Sequence, residues 1–162
     1  MKSLLIMRHG KSSWKDSSLP DHERPLKKRG RKDSAKIGER LKKKDLIPDL
    51  ILSSSARRAA QTAEIVAKEM GYKGEIEYLD TLYMAEPETL FDVLRALPDV
   101  GSVMLVGHNP GSETLLQVLT DEITGLPTAA LALVEIPIDA WEQINLDICG
   151  HLKHLWIPRE ID

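Results

Sequence analysis

Three stretches of the chain carry apolar residues in unbroken succession: Leu-Leu-Ile-Met at 4–7, Leu-Ile-Leu at 50–52 and Val-Met-Leu-Val at 103–106. A run without polar alternation is what a strand covered on both faces looks like. Strands are therefore expected over 3–8, 49–53 and 102–107. Between them the period lengthens. Over 27–44, Ile37 and Leu41 stand four apart, with small Ala35 and Gly38 beside them and a basic outer side, which predicts an amphipathic helix. A second helix is predicted over 55–71, with Ser55 as its N-cap and Gly71 closing it. Pro87 suits a first turn, and Leu90, Leu94 and Leu97 share a face, so 87–97 reads as a third. A fourth covers 111–120. Residues 75–83 alternate only in part, as in a short or edge strand. ALALVEI (130–136) and WEQINLDI (141–148), separated by Pro137 and Asp139, are expected to form an antiparallel pair. The final HLKHLWIP is expected to dock back on the body, and KDSSLPDHERP (15–25) reads as a polar loop.

Strands alternating with helices, then strands alone, predict an α/β fold: a mostly parallel central sheet with an antiparallel addition near the C-terminus. At 162 residues the chain is read as one domain, 1–162, long enough to bury roughly two-thirds of its unfolded surface. The formal charge of −3 gives no reason to expect nucleic acid, so any anion site must be local. Basic clusters at 27–32 and 42–44 read as solvated helix faces. Cys149 is the single cysteine, which excludes an internal disulfide and fits a reducing compartment. No apolar run approaches the roughly 20 residues of a membrane helix, and the first residues lack a signal-peptide pattern. The expectation is a soluble cytoplasmic protein.

Ligands of open parallel sheets bind beyond the carboxyl ends of the strands. Three such ends carry polar residues that a core would not choose: Arg8-His9-Gly10, Ser55-Ala56-Arg57-Arg58 and His108-Asn109-Pro110. An arginine near a core costs several kcal/mol unless paired, and these motifs contain no carboxylate. The missing counter-charge reads as a ligand anion. Phosphate fits best, because a guanidinium fork matches its oxygens, and the start of the 55–71 helix is expected to add amide donors. One histidine could attack phosphorus while the other supplies a proton or positive charge to the phosphoryl oxygens. Other chemistries fare worse. Cys149 has Leu155 where a C-x5-R loop needs arginine, Asp80 has no paired aspartate, and no GK[ST] loop is present. His151 and His154 lack further ligands, and a metal between His9 and His108 would face Arg8 and Arg58. No metal and no cofactor are expected. Arg57 reads as a solvated helix residue, Arg24 as a candidate to touch substrate, and His22 as a loop residue whose loop, following the Arg8-His9-Gly10 turn, could rim the pocket.

The stretches LLIMRHG, SSSARRAAQTAE and VMLVGHNPG resemble, in order and spacing, the motifs of the histidine phosphatase (phosphoglycerate mutase-like) superfamily. The small size, RPLKKRG at 24–30 and the VGHNP form are similar to its SixA-type phosphohistidine phosphatase branch. The resemblance implies a three-layer α/β/α sandwich, with His9 as nucleophile, Arg8 as its phosphate-binding neighbour and His108 as the second histidine. Aligned on Gln61-Thr62-Ala63, the phosphate-binding arginine of the second motif falls on Arg58. The implied activity is metal-independent hydrolysis through a covalent phosphohistidine. The substrate is then phosphohistidine in a protein or, alternatively, a small phosphate ester; a module that binds phosphohistidine without turnover is a further reading. The chain departs from the pattern at Lys15 and Ser55, and the family's acidic residue has no clear match beyond Glu86 and Glu88.

Overall fold

The structure is a computed structural model and describes residues 1–161. Six strands form one sheet: β1 (Lys2–Arg8), β2 (Leu50–Ser54), β3 (Ile76–Leu79), β4 (Ser102–Gly107), β5 (Leu131–Ile136) and β6 (His151–Trp156). Their order is β3-β2-β4-β1-β5-β6. β3, β2, β4 and β1 run parallel, β5 is antiparallel to β1, and β6 is antiparallel to β5. Helices α1 (Lys28–Lys43) and α2 (Arg57–Met70) cover one face, and α3 (Pro87–Arg95) and α4 (Gly111–Thr120) the other. The result is a three-layer α/β/α sandwich.

The unbroken apolar runs have a simple cause. Along β1, Leu4 and Ile6 join the core under α3 and α4, while Leu5 and Met7 join the core under α1 and α2. Both sides of the strand are covered, so neither position can be polar. β4 repeats this, with Val103 and Leu105 on one side and Met104 and Val106 on the other. Gly71 closes α2 at φ 79, a left-handed conformation that glycine adopts without a Cβ penalty.

Two local expectations are corrected. WEQINLDI is not a strand. Trp141–Gln143 form a single 3-10 turn, and the buried residues, Trp141 and Ile144, lie three apart rather than two. The Gln143 side chain accepts the amides of Asp139 and Ala140, and Trp141 donates to the Val100 carbonyl at 2.8 Å. The partner of β5 is instead β6, from the expected docking tail; its half-exposed edge position had erased the apolar signal. The second correction concerns Ser55. α2 starts at Arg57, and Ala56 precedes it without a side-chain cap.

Candidate active site

Strand register assembles the site. Arg8 lies opposite Gly107 in the β1–β4 ladder, so His9 and His108 are the next residues on adjacent parallel strands. Their rings stand 5.1 Å apart. His9 is pinned through its backbone on both sides: its N–H donates to Gly107 and its carbonyl accepts from Ala129. The following turn approaches the start of α1 so closely that side chains are excluded. A Cβ on Gly10 would come within 2.8 Å of the Gly30 carbonyl oxygen, and one on Gly30 would collide with the Lys11 carbonyl. Thr62 ties the turn to α2. Its hydroxyl accepts the Gly10 amide at 3.0 Å and donates to the Arg58 carbonyl at 2.7 Å. Gln61 accepts the Leu26 amide at 2.8 Å. The Gln-Thr pair of the second motif thus joins the loop and both helices to one frame.

Arg8, His9, Arg58 and His108 line one cleft of about 310 Å³, together with Lys11, Ser12, Trp14, Asp21, Arg24, Met84, Asn109 and Thr128. The sequence-derived quartet is therefore brought together, and Arg57 is exposed as expected. Glu86 and Glu88 are exposed and do not line the cleft. Ser55 and Ala56 do not line it either, so α2 contributes the Arg58 side chain rather than its first amides. The serines ahead of α2 serve the site differently. Ser54 Oγ accepts the Ala56 amide and meets His108 Nε2 at 2.8 Å, while Ser55 Oγ meets His22 Nε2 at 2.9 Å. His22 does not line the cleft and stands edge-on to Tyr83.

The expected absence of a carboxylate is overturned. Asp21, from the polar loop, binds Arg58 Nη2 at 3.0 Å and Arg24 Nε at 3.1 Å, and accepts a short hydrogen bond from the Tyr83 hydroxyl. The Tyr83 bond, followed by the two guanidinium groups, holds the Asp21 carboxyl far below its ordinary range. Asp21 was missed because two of its three partners, Arg58 and Tyr83, lie 37 and 62 residues away, with nothing in DHE to mark it. Arg24 is buried, donates to Ser12 Oγ at 2.8 Å and lies 3.5 Å over the Trp14 ring. Arg8 donates to the Leu126 carbonyl, which Asn109 also holds; Glu113 accepts from Asn109 and from the Leu126 amide.

Three buried nitrogens of cleft-lining residues have no hydrogen-bond partner: Arg8 Nε, Arg58 Nε and His108 Nδ1. The serine bond leaves His108 Nδ1 as its unengaged ring nitrogen. His9 Nδ1 lies 2.7 Å from the Gly10 carbonyl, which can only accept, so the hydrogen is on Nδ1 and Nε2 keeps its lone pair. Burial, reinforced by Arg58, Arg8 and Arg24 against the favourable Gly10 bond, lowers the His9 pKa to about 4. Burial and the neighbouring His9 and Arg58 lower that of His108 to about 3. Both rings are neutral at pH 7. The site therefore offers a neutral imidazole nitrogen beside converging donors, the arrangement an anionic electrophile needs.

These shifts set a pH dependence of stability. Unfolded histidine titrates near 6.5, so between about pH 6.5 and 4 the unfolded chain binds more protons than the folded one. Acidification through that window favours unfolding, at about 1.4 kcal/mol per pKa unit. The thermal midpoint is expected to fall from pH 6.5 to 4, and to fall less in His9→Ala. Equal slopes for the two proteins, measured by scanning calorimetry, would contradict the buried neutral state of His9.

Residues 4–83 match the profile of the histidine phosphatase superfamily (branch 1). An uncharacterised chloroplastic protein of Arabidopsis thaliana is 32% identical over 152 residues, 88% of this chain and 70% of that one. Among solved structures, a proposed phosphohistidine phosphatase, SixA, of Agrobacterium tumefaciens superposes with a TM-score of 0.84 and 29% identity, over 97% of this chain and 98% of that one. The protein histidine phosphatase SixA in complex with tungstate gives a TM-score of 0.82 and 25% identity, covering 97% of each chain. Fold and cleft thus define a phosphate-ester or phosphoramidate hydrolase of the α/β/α class. The chain belongs to the histidine phosphatase superfamily, branch 1.

Proposed function

We propose that this phosphatase hydrolyses phosphohistidine in proteins, without a metal, through a phosphoryl group carried on His9. Nε2 of His9 attacks phosphorus as the bond to the substrate imidazole breaks. Arg8, Arg58 and His108 Nδ1 donate to the phosphoryl oxygens, and water then cleaves the new N–P bond to give phosphate and free His9. The carrying observation is that Arg8, Arg58 and His108, each with a buried side-chain nitrogen lacking a hydrogen-bond partner, line one cleft with His9, whose Nε2 keeps its lone pair. Their charge and hydrogen bonds supply what a metal would otherwise bring.

The substrate class follows from the leaving group. A phosphoimidazole protonated on its other nitrogen departs as neutral imidazole, whereas an alkoxide needs a placed acid. Glu86 and Glu88 lie outside the cleft, and Asp21 is held ionised by Tyr83, Arg58 and Arg24. No lining carboxyl is suited to hold a proton at pH 7. Likeness to the two SixA structures supports the same reading.

The test compares kcat/KM for a phosphohistidine peptide with that for a glycerate or sugar phosphate, both in EDTA. At least a tenfold preference for the peptide is expected. A tenfold preference for the ester, lost in Glu86→Gln or Glu88→Gln, overturns the substrate class. Activity lost in EDTA and restored by a divalent metal overturns the metal-free route. A stoichiometric phosphorylated protein that never turns over would make the chain a binding module.

A further inference from the structure

Charge is unevenly distributed along this chain. Residues 11–44 hold 13 Lys and Arg against 5 Asp and Glu, a net +8, while the remainder holds 9 against 20, a net −11. The basic segment comprises the loop after His9 and helix α1. α1 has no acidic residue in its first turn, and Lys27, Lys28, Arg29, Arg31 and Lys32 crowd its N-terminal end. Cations there oppose the helix dipole. The chain thus keeps an arrangement that local helix energetics disfavour, as functional surfaces do.

The structure shows where that charge goes. A groove beside the cleft is lined by Trp14, Lys15, Lys27, Lys28, Arg31 and Arg57, among other residues, and no carboxylate lines it. Trp14 lines the catalytic cleft as well, so the groove adjoins the cleft at this side chain. Trp14 is 74% exposed, with Arg24 stacked 3.5 Å from its ring, and offers an aromatic surface to solvent. Lys28 carries the basic strip onward to a second groove with Arg29, Lys32, Lys36 and Arg159, where the carboxylate, Asp33, pairs with Arg29.

We infer that this groove docks an acidic polypeptide segment flanking the phosphorylated residue of the substrate, with an apolar side chain of that segment on Trp14. The inference rests on the phosphatase reading and specifies its substrate. A polypeptide is favoured because the strip joins an aromatic platform to spaced single cations, which suit separate carboxylates. Cationic steering raises the encounter rate and is screened by salt.

Two phosphohistidine peptides test this, one with aspartate and glutamate flanks and one with serine and glutamine in their place. Phosphoramidate serves as the minimal P–N substrate. At low salt the acidic peptide is expected to show a kcat/KM about tenfold higher, an advantage lost at high salt. The triple variant Lys15→Glu, Lys28→Glu, Arg57→Glu should lose the same advantage while hydrolysing phosphoramidate at the wild-type rate. Equal kcat/KM for the two peptides in the wild type, with phosphoramidate hydrolysed, overturns docking and leaves the phosphatase reading intact. Binding is read separately by tryptophan fluorescence with the unphosphorylated acidic peptide; a salt-sensitive change absent in Trp14→Phe is expected. If the peptide binds but nothing is hydrolysed, the phosphatase reading fails and docking stands. No fluorescence change overturns docking, and an RNA oligonucleotide of equal charge binding more tightly than the peptide overturns the choice of partner.

Discussion

Alanine in place of His9 is expected to lower turnover by on the order of 10⁴-fold or more, the scale seen when a covalent nucleophile is removed. The ring is 8% exposed, its Nδ1 hydrogen is committed to the Gly10 carbonyl, and its Nε2 keeps the lone pair. Ser12 lines the same cleft, but its hydroxyl accepts from Arg24 and no base adjoins it. Wild-type protein quenched in alkali with labelled substrate should carry the label on His9, because N–P bonds survive base and not acid. His9→Ala should remain folded, since its loss removes a buried group rather than a backbone contact. Turnover near the wild-type level, or label on Ser12 or Ser13, would remove His9 from the mechanism.

Arg58→Ala is expected to cost about 10² to 10³ in kcat/KM, the range for one preorganised donor, and Arg57→Ala little. The two are neighbours in sequence but not in environment: Arg58 is 3% exposed and lines the cleft, whereas Arg57 is solvated. Arg58→Ala carries a second signature. Asp21 keeps Arg24 and Tyr83 but loses Arg58 Nη2, so its carboxyl should titrate higher than in the wild type. Carboxyl NMR can follow that rise. Equal kinetic losses in two folded variants would mean that both arginines hold the phosphoryl group.

Residues whose surroundings are fixed by short-range pattern were legible in the sequence. β1 and β4 are covered on both faces, so their apolar runs announced them, and each run ended at a histidine that the strand places. β6 is an edge strand with charged residues such as Lys153, so it carried no apolar pattern and was read as a tail. Trp141 and Ile144 gave the right burial at the wrong period. The quartet was legible because each member sits at or beside an element end. Asp21, Tyr83 and Ser54 were not, because their roles exist only once loop, strand and helix meet: Asp21 reaches Arg58, Tyr83 reaches Asp21, and Ser54 orients His108. Basic residues near 27–32 looked like an ordinary solvated face until the fold set them beside the cleft.

The contact between the His9 turn and the start of α1 bears on how this chain can vary. Gly10 and Gly30 are twenty positions apart, yet a Cβ on Gly10 would meet the Gly30 backbone and one on Gly30 would meet the backbone of Lys11, the residue after Gly10. Selection for a folded protein and selection for an active one make different demands at His9, where a folded chain could dispense with the ring. At the two glycines those demands coincide, because moving either backbone shifts the turn that carries His9. A lineage that lost the chemistry would still have a packing reason to keep both glycines.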